Sequence, residues 1–179
     1  MILGLDISTS ITGATVIDEN GSVVFNEAWD TRNKNHFLSL FDKGRFIKDK
    51  LLGIEDLFYI DSIYIEQSLQ SFRSGFSSAK TLSSLSRFNG IVSWQCYEIF
   101  DLIPEYIAAT SARKKCGIKV PRGIKSKEVV IDYILDNVPS VIINYTKHGN
   151  PKPECFDKAD SWVIAYAGYT CRKEKNLNY

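Results

Sequence analysis

Ile2, Leu3, Leu5 and Ile7 form a short apolar run that carries Asp6 to the mouth of a Ser/Thr turn, the pattern of a buried strand. Successive side chains of a strand alternate between its faces, so Gly4 and Asp6 are expected on one face, with open space beside the carboxylate where Gly4 lacks a side chain. Residues 12–17 resume the extended pattern, residues 19–22 supply a turn, and residues 23–29 read as a third strand. The chain therefore starts as an antiparallel meander. Between residues 36 and 58, Phe37, Leu40, Phe41, Phe46, Ile47, Leu51, Ile54 and Leu57 approach a helical period that Gly44 and Gly53 weaken, which predicts one helix ending near Gly53. Residues 62–67 predict a strand with Ile63 and Ile65 on one face and Tyr64 and Glu66 on the other.

A turn-rich stretch then leads into a long helix, residues 77–100, on Leu82, Leu85, Phe88, Ile91, Val92 and Ile99. A fifth strand is expected over residues 104–110, since proline is tolerated at a strand's first residue. A short helical turn stopped by Gly117 and a helix over residues 126–138, ended by Pro139, come next. Residues 141–153 have no strong period and read as an irregular connection. The last helix is expected over residues 154–171, with a frayed tail. The sum is an α/β chain: a five-stranded mixed sheet, a three-strand antiparallel meander plus parallel strands, with helices on both faces.

The 179 residues, 44% of them apolar, suffice for one domain with a sizeable core. The net charge of +1 conceals local patches. Arg113, Lys114, Lys115, Lys119, Arg122, Lys125 and Lys127 occur with no acid among residues 111–127, a composition suited to phosphate backbones. Arg73, Lys80 and Arg87 form a second acid-free stretch beside Phe72 and Phe76. Those aromatics are candidates to stack on opened bases, although loop aromatics also pack onto cores. Cys96, Cys116, Cys155 and Cys171 show no paired metal spacing and read as buried thiols of a reducing, cytoplasmic compartment. No signal peptide or membrane span is expected.

Asp157 and Asp160, three residues apart, share one face of the last helix. Taken singly, Asp6 is explained by turn chemistry and the helix pair by the helix dipole. Taken together with Glu66, they make four acids at the ends of packed elements, which repel one another and raise their pKa values unless a divalent cation is held. Oxygen ligands suit Mg²⁺ or Mn²⁺, and two such ions about 4 Å apart support phosphodiester cleavage.

The motifs Gly-Leu-Asp6-Ile-Ser-Thr-Ser-x-Thr-Gly, Ile-Tyr-Ile-Glu66-Gln and Phe-Asp157-Lys-Ala-Asp160-Ser-Trp-Val-Ile-Ala, in this order, resemble the RuvC family of Holliday junction resolvases, of the ribonuclease H-like superfamily. The resemblance implies that Asp6, Glu66, Asp157 and Asp160 are catalytic metal ligands. It also implies a lysine near the start of the penultimate helix, for which Lys127 is the first candidate and Lys125 the second. It implies a homodimer acting on four-way or otherwise branched DNA; two nicks suit a two-fold assembly, with the helix of Leu82, Leu85, Phe88, Ile91, Val92 and Trp94 as the candidate interface. Asp-Ile-Ser-Thr-Ser stands where the family often has Asp-Pro-Gly, and residues 141–153 look like an insertion. These departures fit a divergent, virus- or phage-encoded member acting in an infected host cell. Three other readings use the same residues: a nuclease for RNA in hybrids, an actin-like or sugar-kinase-like nucleotide-binding domain whose phosphate loop the first motif also resembles, and an inactive module that binds through the basic patch alone.

Overall fold

Strand β1 (Ile2–Asp6) occupies the middle of the sheet. Its neighbours are β2 (Ile11–Ile17) and β4 (Ser62–Glu66), with β3 (Val23–Asp30) and β5 (Glu105–Ile107) outside them, in the order β3-β2-β1-β4-β5. The computed structural model describes residues 1–67 and 79–177, the Leu177 side chain excepted. The first three strands pair antiparallel, whereas β1–β4 and β4–β5 are parallel. Leu5 is in register with Ile65, so Asp6 and Glu66, one residue further on, leave adjacent strands at the same end.

The alternation of the strands divides the core in two. Leu3, Leu5, Ile63 and Ile65 pack on one face against Ile47, Leu51 and Ile54 of α1 (Leu40–Leu57) and Phe88, Val92 and Cys96 of α2 (Ala79–Phe100). Ile2, Ile17 and Tyr64 pack on the other face against α3 (Ala109–Lys115), α4 (Ser126–Asn137) and α5 (Pro153–Leu177). Asp6 and Glu66 belong by parity to this second face, the one α5 covers. The expected α/β architecture, a mixed five-stranded sheet with helices on both faces, is the one observed.

Several boundaries differ from expectation. Helix α1 starts at Leu40 because Ser39 and Asp42 form a capping box, which satisfies two orphan backbone donors. It runs through Gly53 to Leu57, since burial of Ile54 outweighs one glycine. Strand β5 is limited to Glu105–Ile107, and α3 begins two residues later. The tail expected to fray is helical to Leu177, with Lys115–Glu174 (2.5 Å) and Lys175–Glu105 (3.5 Å) ion pairs along it. Within residues 141–153 a small hairpin is closed by a Tyr145–Pro151 bridge.

Gly4 corrects a more consequential expectation. No space is left beside Asp6, because a Cβ on Gly4 would lie 2.6 Å from the Ala165 side chain. The missing side chain is the seat of α5. Gly168 repeats the arrangement from the helix side, where a Cβ would collide with the Tyr64 ring. Cys96, Cys116 and Cys155 are buried, Cys171 is partly exposed, and all four are free thiols. Among the described residues no helix is long and apolar enough to cross a membrane.

Candidate functional site

Three elements bring acids to one end of the sheet. Asp6 and Glu66 terminate β1 and β4, and Asp157 and Asp160 stand in the first turns of α5. Helix α5 is held there by polar contacts as well as by close packing. The Thr15 and Ser161 hydroxyls hydrogen-bond at 2.8 Å, and the Asn26 amide donates to Thr15 (2.7 Å) and to the Lys158 carbonyl (3.1 Å). Gly13, the register partner of Asp6, lies against the main chain of Asp157.

The four carboxyls influence one another. Burial raises Asp6 well above its ordinary value, and Glu66, Asp160 and Asp157 push it further, against the pull of Lys127. Glu66 is pushed up to about 7 by burial and then by Asp160, opposed by Arg113 and Lys127. Asp157 is raised to about 6, chiefly by burial, with Lys127 and Arg32 opposing. Asp160 is also raised by burial, and its side chain is only 16% exposed. Such protonation-favouring surroundings arise when like charges are confined away from water.

Among the described residues, no group of three or more His, Cys, Asp or Glu side chains stands ready to hold a metal ion. The carboxylates interact through a longer-ranged field than ligation requires, so this open arrangement and the raised pKa values are compatible. The donor set itself, four carboxylates without thiolate or imidazole, fits a hard divalent cation, whose charge would relieve the confined excess.

Lys127, at the start of α4, brings its ammonium to 3.9 Å from Asp160 and 5.9 Å from the centre of the Phe156 ring. Lys125 instead pairs with Glu128 (3.3 Å). Arg113 is half-buried and acts on Glu66 and Asp160. Lys114 and Lys119 line a cleft of about 250 Å³ with Thr110, Gly117, Ile118 and Val120. Arg122 is exposed in a turn, Lys80 is exposed at the start of α2, and Lys115 is engaged with Glu174. Phe72, Arg73 and Phe76 lie outside the described residues. On α2, Phe88 and Val92 enter the core, whereas Trp94 is exposed.

No protein-family model and no curated protein sequence matches the chain. Among solved structures, Thermus thermophilus RuvC in complex with a Holliday junction substrate superposes with a TM-score of 0.66, covering 96% of this chain and 94% of that one at 14% identity. The fold is that of RuvC. A second Thermus thermophilus RuvC structure gives 0.62 over 97% and 96% of the two chains. The yeast mitochondrial Holliday junction resolvase Ydc2 gives 0.61 over 99% and 81%, both again at 14% identity. The RuvC-like, ribonuclease H-like fold expected from the motifs is thus present.

Within this RuvC fold, sequence reasoning missed Arg32, whose charge reaches Asp157 from the end of β3. It also missed the Thr15–Ser161–Asn26 contacts. A signal existed for these: Thr15 interrupts an apolar strand at the same parity as Gly13.

Proposed function

We propose that the protein is a metal-dependent, structure-selective endonuclease that cuts four-way (Holliday) junctions or other branched DNA as a homodimer. The observation that carries this reading is the mutual electrostatic influence of four partly buried carboxyls, Asp6, Glu66, Asp157 and Asp160, at adjoining strand and helix ends. These residues would hold Mg²⁺ or Mn²⁺, two ions per site. The ions would supply an activated water and stabilise the departing oxygen of a phosphodiester.

The chain's own cations have distinct tasks. Lys127 stands at the rim of the acids, where an ammonium stabilises charge developing on the cleaved phosphate. Arg113 offsets charge on Glu66 and Asp160 from α3. Lys114, Lys119 and Arg122 supply exposed positive charge, suited to positioning a backbone without reading its sequence. A second copy of the chain suits the outward side of α2. There Trp94, 64% exposed, joins Phe41 of α1, itself 76% exposed, along a groove that also includes Arg87, Gly90 and Ile91.

The nucleotide-binding reading finds less support at the turn after β1. The amides of Ser10 and Ile11, which a phosphate loop would leave free, donate to the Ser8 hydroxyl at 3.1 and 3.0 Å.

The deciding experiment incubates the purified protein with labelled four-way, Y-shaped and linear DNA and with an RNA–DNA hybrid, in Mg²⁺, Mn²⁺ or EDTA. Metal-dependent nicking of a branched substrate is expected. Absence of cutting on every branched DNA, or full activity after Asp6→Asn, overturns the proposal. Cutting confined to the hybrid would move the same chemistry to an RNA substrate, and ATP hydrolysis without nucleic acid would favour the kinase-like reading.

A further inference from the structure

The connection between α4 and α5 is far more ordered than a spacer needs to be. From Asn137 to Pro153 it contains no acidic residue, while Lys147, His148 and Lys152 are basic. Its hairpin satisfies its own backbone: Lys152 N–H donates to the Asn144 carbonyl (2.8 Å), Thr146 N–H to Asn150 (2.8 Å) and Gly149 N–H to Thr146 (3.0 Å). Gly149 takes a φ of 79° to close the turn, a conformation glycine adopts without steric cost. The shape is therefore set within the hairpin.

Its base is fastened to α5. Asn144 N–H donates to the Cys155 sulfur (3.1 Å), the thiol returns to the Asn144 carbonyl (3.4 Å), and the Lys158 ammonium donates to the Ile142 carbonyl (3.0 Å). Val141 is buried beneath it. These anchors lie on the same helical turns as Asp157 and Asp160, so the hairpin is mounted directly on the acid-bearing part of the helix. From Asn144 to the tip at His148, four residues at about 3.3 Å each give a reach of about 13 Å. That spans roughly four base steps of a duplex at 3.4 Å per step.

The hairpin presents basic side chains without counter-charges. Lys147, His148 and Lys152 are exposed, and their side chains form no hydrogen bond or ion pair among the described residues. Tyr145 is also exposed, at 46%. Lys115 and Lys125 of the first basic stretch, by contrast, are engaged with Glu174 and Glu128. An acid-free, self-braced arm carrying unpaired lysines beside a phosphodiester site suits a polyanionic strand.

We propose that the hairpin of residues 141–153 is a second nucleic-acid contact, in which Lys147 and Lys152 bind phosphates of the DNA that runs past the start of α5. His148 and Tyr145 meet the same strand at its sugars and bases. This inference rests on the DNA-nuclease reading of the acid site.

The test measures binding of a fluorescent four-way junction in EDTA over a series of NaCl concentrations. It compares the wild type, Lys147→Ala/Lys152→Ala, and Lys173→Ala at the far end of α5. Two lost phosphate contacts predict weaker binding and a log–log salt slope shallower by between about 1 and 2, with Lys173→Ala following the wild type. A double variant with wild-type affinity and slope overturns the inference and leaves the nuclease reading standing. Weaker binding with an unaltered slope also overturns it, because that outcome reflects altered shape rather than lost phosphate contacts. A wild type that binds neither branched nor linear DNA overturns both.

Discussion

Gly13 and Asp157 meet main chain to main chain. A Cβ on Gly13 would fall 2.5 Å from the Asp157 carbonyl carbon and 3.0 Å from the Ser161 side chain. Because Gly13 is also the register partner of Asp6, this contact sets how closely the acids of α5 approach the acid of β1. Gly13→Ala should therefore lower stability by about 1–3 kcal/mol through overpacking and slow cleavage as well. Gly53→Ala, at a helix position with nothing within 4 Å, should raise stability by about 0.5–1 kcal/mol. Urea melts and cleavage rates of the two variants check the pair; a neutral Gly13→Ala would show that α5 can shift without consequence.

The raised carboxyls give the metal-free protein an unusual pH dependence. A group whose folded pKa exceeds its unfolded value binds its proton more tightly when folded, so its contribution is fully present below the unfolded pKa and is lost as pH rises through the folded one. For Glu66 the window runs from 4.5 to about 7, and for Asp157 from 3.8 to about 6. In EDTA, stability should fall across this range, with roughly 3 kcal/mol traceable to Glu66. Glu66→Gln should flatten the profile, and Mg²⁺ should raise the melting temperature more at pH 8 than at pH 5. A metal-free melting temperature that climbs between pH 5 and 7 contradicts this account.

Lys127 and Lys125 lie two positions apart and differ in their partners, Asp160 and Glu128. Lys127→Ala should slow single-turnover cleavage by about 10²-fold, the effect of removing one donor from developing charge. Lys125→Ala should change the rate by no more than roughly a few-fold, since its ion pair is solvent-exposed. Equal losses in the two variants would count against a direct role for Lys127.

Trp94 offers a test of assembly. If its exposed face meets a second copy, the wild type should sediment as a dimer and Trp94→Arg as a folded monomer with an unchanged far-ultraviolet spectrum. A wild type that remains monomeric at micromolar concentration removes the homodimer from the proposal.

The sequence made Asp6 and Glu66 legible because strand alternation fixes which face an acid takes, and Asp157 and Asp160 because a spacing of three fixes a helical face. Their convergence was a matter of motif order, and the register of β1 against β4 bears on it directly. The role of Gly4 is hidden in the sequence because an absent side chain looks like vacancy until the opposing helix is in place. Arg113 reads as part of a basic run, since nothing local distinguishes a charge turned toward Glu66 from one turned toward solvent. The partners of Lys115 and Lys125 lie outside the acid-free stretch of residues 111–127: Glu174 is remote in the chain, and Glu128 lies just beyond its end.

The seating of α5 through Gly4 and Gly13 of the sheet and its own Gly168 has an evolutionary consequence. Close packing at three glycines and a few side-chain hydrogen bonds hold the site, and the two cores on either face of the sheet can be repacked with other apolar residues of similar total volume. Selection on such a molecule would police three small positions and a handful of acids while the remainder drifts. A lineage built this way can move beyond the reach of sequence comparison and still keep its architecture.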